Sequence, residues 1–135
     1  MSRELLGTLG QSEQDNLIAG PRFPVANKGV TLLEGQGLLK RGTVLGIVTA
    51  HGQAVPVDST AGDGSNSPDC VLAEDVYTGT EPGEPGVSAV AYSAGYFIRG
   101  SLIFGGADTY ATHELEMRKL NIHLSSSIDK DGGIH

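Results

Sequence analysis

Apolar and polar positions along this chain alternate over short stretches, and only one segment repeats at helical spacing. The run "VTLLEGQGLL" from Val30 begins as a short β-prone stretch and turns at Gly35-Gln36-Gly37. "RGTVLGIVTAHGQAVPVD" reads as a hairpin. Thr43 to Thr49 is rich in β-branched residues, His51-Gly52 makes the turn, and Gln53 to Val57 returns. Pro56 has no N–H for a sheet ladder, which pushes the return strand towards an edge or its end. The polar loop "STAGDGSNSPD" leads into "CVLAEDVYTG". There Cys70, Leu72, Glu74 and Val76 alternate with Val71, Ala73, Asp75 and Tyr77, which predicts one strand. After the turn-rich "TGTEPGEPG", "VSAVAYSAGYFIRGSLIF" predicts two strands, Val87 to Ser93 and Tyr96 to Phe104, with bends at Gly95 and Gly100.

"DTYATHELEMRKLN" is the helical segment. Asp108 or Thr109 can cap it, Glu114 and Glu116 lie early, and Arg118 and Lys119 lie late, an order that suits the helix dipole. Tyr110, Met117, Leu120 and Leu124 form its predicted apolar stripe, with Leu115 beside it, and "NIHL" closes the core as a last strand. Residues 1–29 keep no sustained period, and Pro21 and Pro24 interrupt any helix or central strand. They are expected to form an arm, flexible in the isolated protein. Leu17, Ile18, Phe23 and Val25 give it apolar anchors that a purely solvating tail would lack. The expected organisation is an arm over 1–29, a mainly β domain with one short helix over 30–124, and a polar tail over 125–135.

The totals narrow the picture. A chain of 135 residues fits one domain with a core large enough to fold unaided. With three Phe, four Tyr and no Trp, that core must be built mainly from Val, Leu, Ile and Ala. Twenty glycines and six prolines favour frequent turns and short strands. The net charge of −7, with no basic run beyond the pairs Lys40-Arg41 and Arg118-Lys119, argues against nucleic acid or anionic lipid as a partner. Cys70 is the sole cysteine, so an intrachain disulfide and a multi-cysteine zinc site are both excluded. No apolar run approaches membrane-spanning length, and the N-terminus has no apolar signal core, so synthesis in the cytoplasm is expected.

Candidate chemistry is thin. In "DGSNSPDCVLAE", oxygen-bearing side chains fall at positions one, three, five and seven, and Glu74 falls at twelve, as in an EF-hand loop. Pro68 stands where that loop needs glycine, however, and a strand follows in place of a helix. The better reading is an Asx-type turn leading into a strand. Cys70 and His51 could be paired as nucleophile and base of a small hydrolase, but no nucleophile elbow or oxyanion-hole turn accompanies them. His113-Glu114 begins a zinc motif that fails at Met117. "EGQG" lacks the third glycine and the strand-to-helix context of a dinucleotide site, and neighbouring Glu74 and Asp75 face opposite ways on a strand. No catalytic residue, metal or cofactor is therefore expected. A carbohydrate-binding virion adhesin is a further alternative, disfavoured by the scarcity of aromatic residues.

The order of these pieces resembles one family, the bacteriophage head decoration proteins of the lambda protein D type. The resemblance is carried by "GVTLLEGQG", "LLKRGTVLGIVTAHGQAVPVD", "DGSNSPDCVLAEDV", "AVAYSAGYFIRGSLIF" and a helix ending in "RKLNIHL", over roughly residues 28 to 124. It implies a compact, small barrel-like fold of the β-clip type and a homotrimer without enzymatic activity. It also implies a place on the outer surface of the expanded head, at threefold and quasi-threefold sites, where the trimer braces the shell against internal DNA pressure. The implied partners are the phage's major capsid protein and further copies of the chain. The implied capsid-binding arm would order on the capsid and pair with a capsid-protein strand, using Leu17, Ile18, Phe23, Val25, Val30 and Leu32.

Overall fold

The computed structural model describes residues 17–19, 25–80 and 86–125. Along the chain run β1 (Ala26–Leu32), β2 (Leu38–Leu39), β3 (Val44–Ile47), β4 (Ala54–Pro56), β5 (Cys70–Leu72), β6 (Val76–Tyr77) and β7 (Val87–Ile98). A 3-10 turn at Arg99–Ser101, helix α1 (Tyr110–Lys119) and β8 (Ile122–Ser125) follow. The fold is mainly β, as the turn-rich sequence predicts. The arm–domain division expected after residue 29 cuts through β1, which already begins at Ala26.

Strands β1, β4, β3, β5 and β7 are neighbours in that order, and β1 pairs again with β7, so the five close into a small barrel. The closing seam is an antiparallel ladder from Asn27↔Tyr92 to Leu32↔Val87. Each barrel strand sends a buried residue inward: Leu32, Ala54, Leu45, Cys70 with Leu72, and Ala89 with Ala91. The three alanines suit the narrow interior that so few strands enclose. The pair β2–β6 stands outside the barrel, yet its Leu39 and Val76 join the interior cluster.

A second apolar layer lies on the outer face of β3, β5 and β7. Val44, Val71 and Phe97 pack there with Leu17, Leu102, Met117 of α1, and Ile122 and Leu124 of β8. Cys70, Val71 and Leu72 are thus all buried, because both faces of β5 are covered. This corrects the single alternating strand expected over "CVLAEDVYTG": pairing breaks after Leu72 and resumes as β6 at Val76. The two strands expected on either side of Gly95 are one strand, β7. Gly95 does not break it but makes room, since a Cβ there would come within 2.8 Å of the Phe97 ring. Beyond Ile98 the predicted strand becomes the 3-10 turn, and only Ile103 makes a bridge, to Thr43.

Helix α1 starts at the expected cap, Thr109, whose backbone N–H donates to Thr112 Oγ1 at 3.2 Å. Of the expected stripe, Met117 and Leu124 are buried and Tyr110 and Leu120 are not. His113 and Met117 are buried, whereas Tyr110, Leu120 and Leu115 are exposed, Leu115 to 71%. Asn121, with a φ of 68°, turns the chain out of α1 into β8, which runs parallel to β7 from Gly95↔Ile122 to Ile98↔Ser125. Ser125, expected to open the polar tail, is buried in β8, and the remainder of that tail lies outside the described residues.

Candidate interaction surface

Alternate residues of a strand aim their backbone groups at opposite edges. Gly95 of β7 donates to Asn121 O on the β8 side, while Tyr96 accepts from Ala19 N at 2.8 Å and Ile98 donates to Leu17 O at 2.7 Å. Leu17–Ala19 therefore lies along β7 on the edge opposite β8, bridged through Ile18↔Phe97. Leu17 is 3% exposed and sits in the outer core, and Ile18 packs against it.

The same logic applies to β1. Leu33 N donates to Ala54 O at 3.1 Å, so odd-numbered residues aim at β4 and even-numbered ones at β7. Strand β4 reaches β1 only at Leu32↔Ala54. Among the described residues, the outward backbone groups of Gly29 and Asn27 meet no partner. Beside them lies an open cleft of about 510 Å³, lined by Lys28, Gly29, Val30, Thr31, Ile47, Gly52, Ser88 and Ala89. Gly29 has neither a positive φ nor any atom within 4 Å of where a Cβ would stand, so nothing in the described chain demands glycine there. A glycine inside a strand weakens it and often marks the approach of another backbone.

The six residues assigned to the arm therefore separate. Leu17 and Leu32 are core residues, and Ile18 and Val30 are half-buried against the two cores. Val25 is 37% exposed, immediately before the open edge. Phe23 lies outside the described residues. On the flank, Lys28 Nζ reaches Asp69 Oδ2 at 2.6 Å and fastens β1 beside β5, and this hydrogen bond raises the lysine above its ordinary pKa. Sequence reasoning missed the open edge, for which Gly29 within "ANKGVTL" was the available signal. It also missed the cross-strand pair Leu38↔Tyr77, which presents apolar groups 52% and 62% exposed.

The oxygens of the would-be calcium loop serve separate partners. Asp63 Oδ1 accepts from Ser65 N at 3.0 Å and from Ser65 Oγ at 2.6 Å, the expected Asx-type turn, and these bonds hold its carboxyl below the usual range. Asp69 pairs with Lys28, and Glu74 Oε2 accepts from Val90 N at 3.1 Å. Cys70 is fully buried, and burial, with Asp69 nearby, pushes its thiol up to about 12, the opposite of an activated nucleophile. His51 sits in an exposed turn, its Nδ1 accepting from Gln53 N.

A Ser–Asp–His constellation that the sequence did not announce links the loop after β4 to α1. Ser59 Oγ donates to Asp108 Oδ1 at 2.7 Å, and His113 Nε2 lies 2.7 Å from Asp108 Oδ2. The order differs from that of a hydrolytic triad, because Ser59 bonds to the carboxylate and not to the imidazole, so no base stands on its hydroxyl. Burial would raise the Asp108 carboxyl, but the hydrogen bonds from His113 and Ser59 outweigh it and hold the group below its ordinary value.

The family model described as bacteriophage lambda head decoration protein D matches residues 7–122, well over half of the chain. No curated protein gives a significant match.

Proposed function

Because the chain belongs to the bacteriophage lambda head decoration protein D family, we propose that it braces an expanded phage head from outside as a homotrimer. Membership makes it a phage head decoration protein, a structural component located on the virion capsid. The threefold and quasi-threefold placement, the resistance to internal DNA pressure and the major capsid protein as contact are our reading. So is attachment through the N-terminal region.

The unpaired outer edge of β1 carries this reading. Gly29 and Asn27 offer backbone donors and acceptors beside a cleft, which is what an added strand requires. Val25, exposed immediately before that edge, acts as an apolar anchor, while Val30 and Leu32 hold β1 from within and Leu17 and Ile18 fasten the preceding segment to β7. The exposed Leu38–Tyr77 pair supplies apolar surface for contacts between copies. Repetition over many sites makes a modest single contact cumulatively strong.

The test is incubation with emptied, expanded heads of the cognate phage. Co-sedimentation and increased resistance of the heads to heat are expected, together with a trimer mass by analytical ultracentrifugation. A protein that stays in the supernatant and leaves the heads as fragile as before would overturn the reading.

A further inference from the structure

Among the described residues, helix α1 is attached by little apolar surface. Of its ten residues only His113 and Met117 are buried. Two carboxylate clasps add polar attachment. At the N-terminal end, the Asp108 carboxylate, its side chain 6% exposed, accepts from Ser59 N at 2.6 Å, from Ser59 Oγ at 2.7 Å and from the His113 ring at 2.7 Å. Further along, Glu114 Oε2 pairs with Arg99 at 2.8 Å and Arg118 at 3.5 Å.

We propose that helix α1 is an acid-released lid: protonating Asp108 and Glu114 undoes both clasps and frees the helix while the barrel beneath stays closed. The barrel depends on neither group, since its five strands close through backbone pairing and an interior in which α1 has no part. Lifting α1 withdraws Met117 from the outer core and bares apolar surface on Phe97, Ile122 and their neighbours. The groups facing the clasps fit this direction. His113 stacks on Phe104 at 5.7 Å and has Glu116 3.9 Å from its Nδ1. The Asp58 carboxylate lies beside Gly106. Arg99 lies over the Tyr110 ring at 5.2 Å. Arg99 holds the Glu114 carboxyl below its ordinary value, as His113 and Ser59 do for Asp108, so the lid stays shut until the medium is more acidic than ordinary carboxyls require.

Native-state hydrogen exchange of the full chain, read as protection factors at neutral and acid pH, tests the lid. In acid, the amides of α1 should lose about tenfold or more protection relative to those of β7, which stay protected at a pH where α1 exchanges freely. A hydrophobic dye should brighten over the same pH range. Glu114→Gln should loosen α1 selectively at neutral pH, and Asp108→Asn should do so more strongly. If α1 and β7 lose protection by the same factor at every pH, the clasps act only through global unfolding and there is no lid. Equal protection of α1 at both pH values would overturn the proposal as well.

Discussion

The backbone amide of Ala19 donates to the carbonyl of Tyr96 at 2.8 Å, which fastens the chain to β7 before β1 begins. The start of any detachable arm therefore lies before Leu17. Removing residues 1–16 should leave the unfolding midpoint in urea almost unchanged. Removing 1–29 takes away Leu17, Ala19 and half of β1, and should give a chain that fails to fold cooperatively. Leu17→Ala alone should cost about 2–4 kcal/mol, since the cavity it leaves adds to the lost burial. Equal stability of the two truncations would show that the strap along β7 contributes nothing.

Gly46 and Gly29 are both strand glycines without a positive φ, yet their surroundings differ. A Cβ on Gly46 would overlap the Ser65 carbonyl, whereas one on Gly29 meets nothing within 4 Å. Gly46→Ala should destabilise by about 2 kcal/mol or more through overpacking. Gly29→Ala should be neutral or gain up to about 1 kcal/mol, because it restricts the unfolded chain. Chemical denaturation of the two variants compares them directly. A loss of head binding in Gly29→Ala at unchanged stability would mark the β1 edge as a contact.

Stability should fall in acid. Asp63, Asp108 and Glu114 all have lowered carboxyl values in the folded protein, so their contribution is complete above about pH 4–4.5. It is lost as pH drops through the folded values below that. Lys28 runs the other way. Its raised value means that the Asp69 bond stabilises below about pH 10 and is lost at higher pH. Urea midpoints across the pH range should form a plateau with falling limbs at both ends. Asp108→Asn should shorten the acid limb.

Cys70 should be chemically silent while the barrel is closed. With its side chain buried and its thiol raised to about 12, a thiol-reactive disulfide reagent at mildly alkaline pH should label it only as the protein unfolds. Fast labelling of the native protein would mean that the barrel interior opens readily. Cys70→Ala should retain head binding, because the residue belongs to the interior and not to the surface.

Legibility in the sequence followed the range of the forces involved. The hairpin of β3 and β4 was readable because its β-branched run, turn and return are neighbours in the chain. The cap at Thr109 and the Asx turn at Asp63 are local hydrogen bonds and were readable too. The buried face of α1 was legible only in part, through Met117. His113, a polar residue, goes inward because Asp108 receives it, while Leu115 stays out. Cys70, Val71 and Leu72 hid their alternation for a similar reason: apolar layers cover both faces, so neither face has to be polar. Among the arm residues, composition could not tell apolar side chains available to another protein from those, such as Leu17, that pack inside this chain.

By itself the sequence determined a mainly β chain, the hairpin of β3 and β4, the place of its helix and the family to which it belongs. Only the tertiary structure decided that β1 closes a barrel against β7, that Leu17 and Leu32 are core, and that Gly29 stands on an open edge. The physical reason is distance along the chain. The pairing of Leu32 with Val87 joins segments that share no local period. Which edge remains unpaired depends on where the short β4 stops, and no pattern within β1 records that.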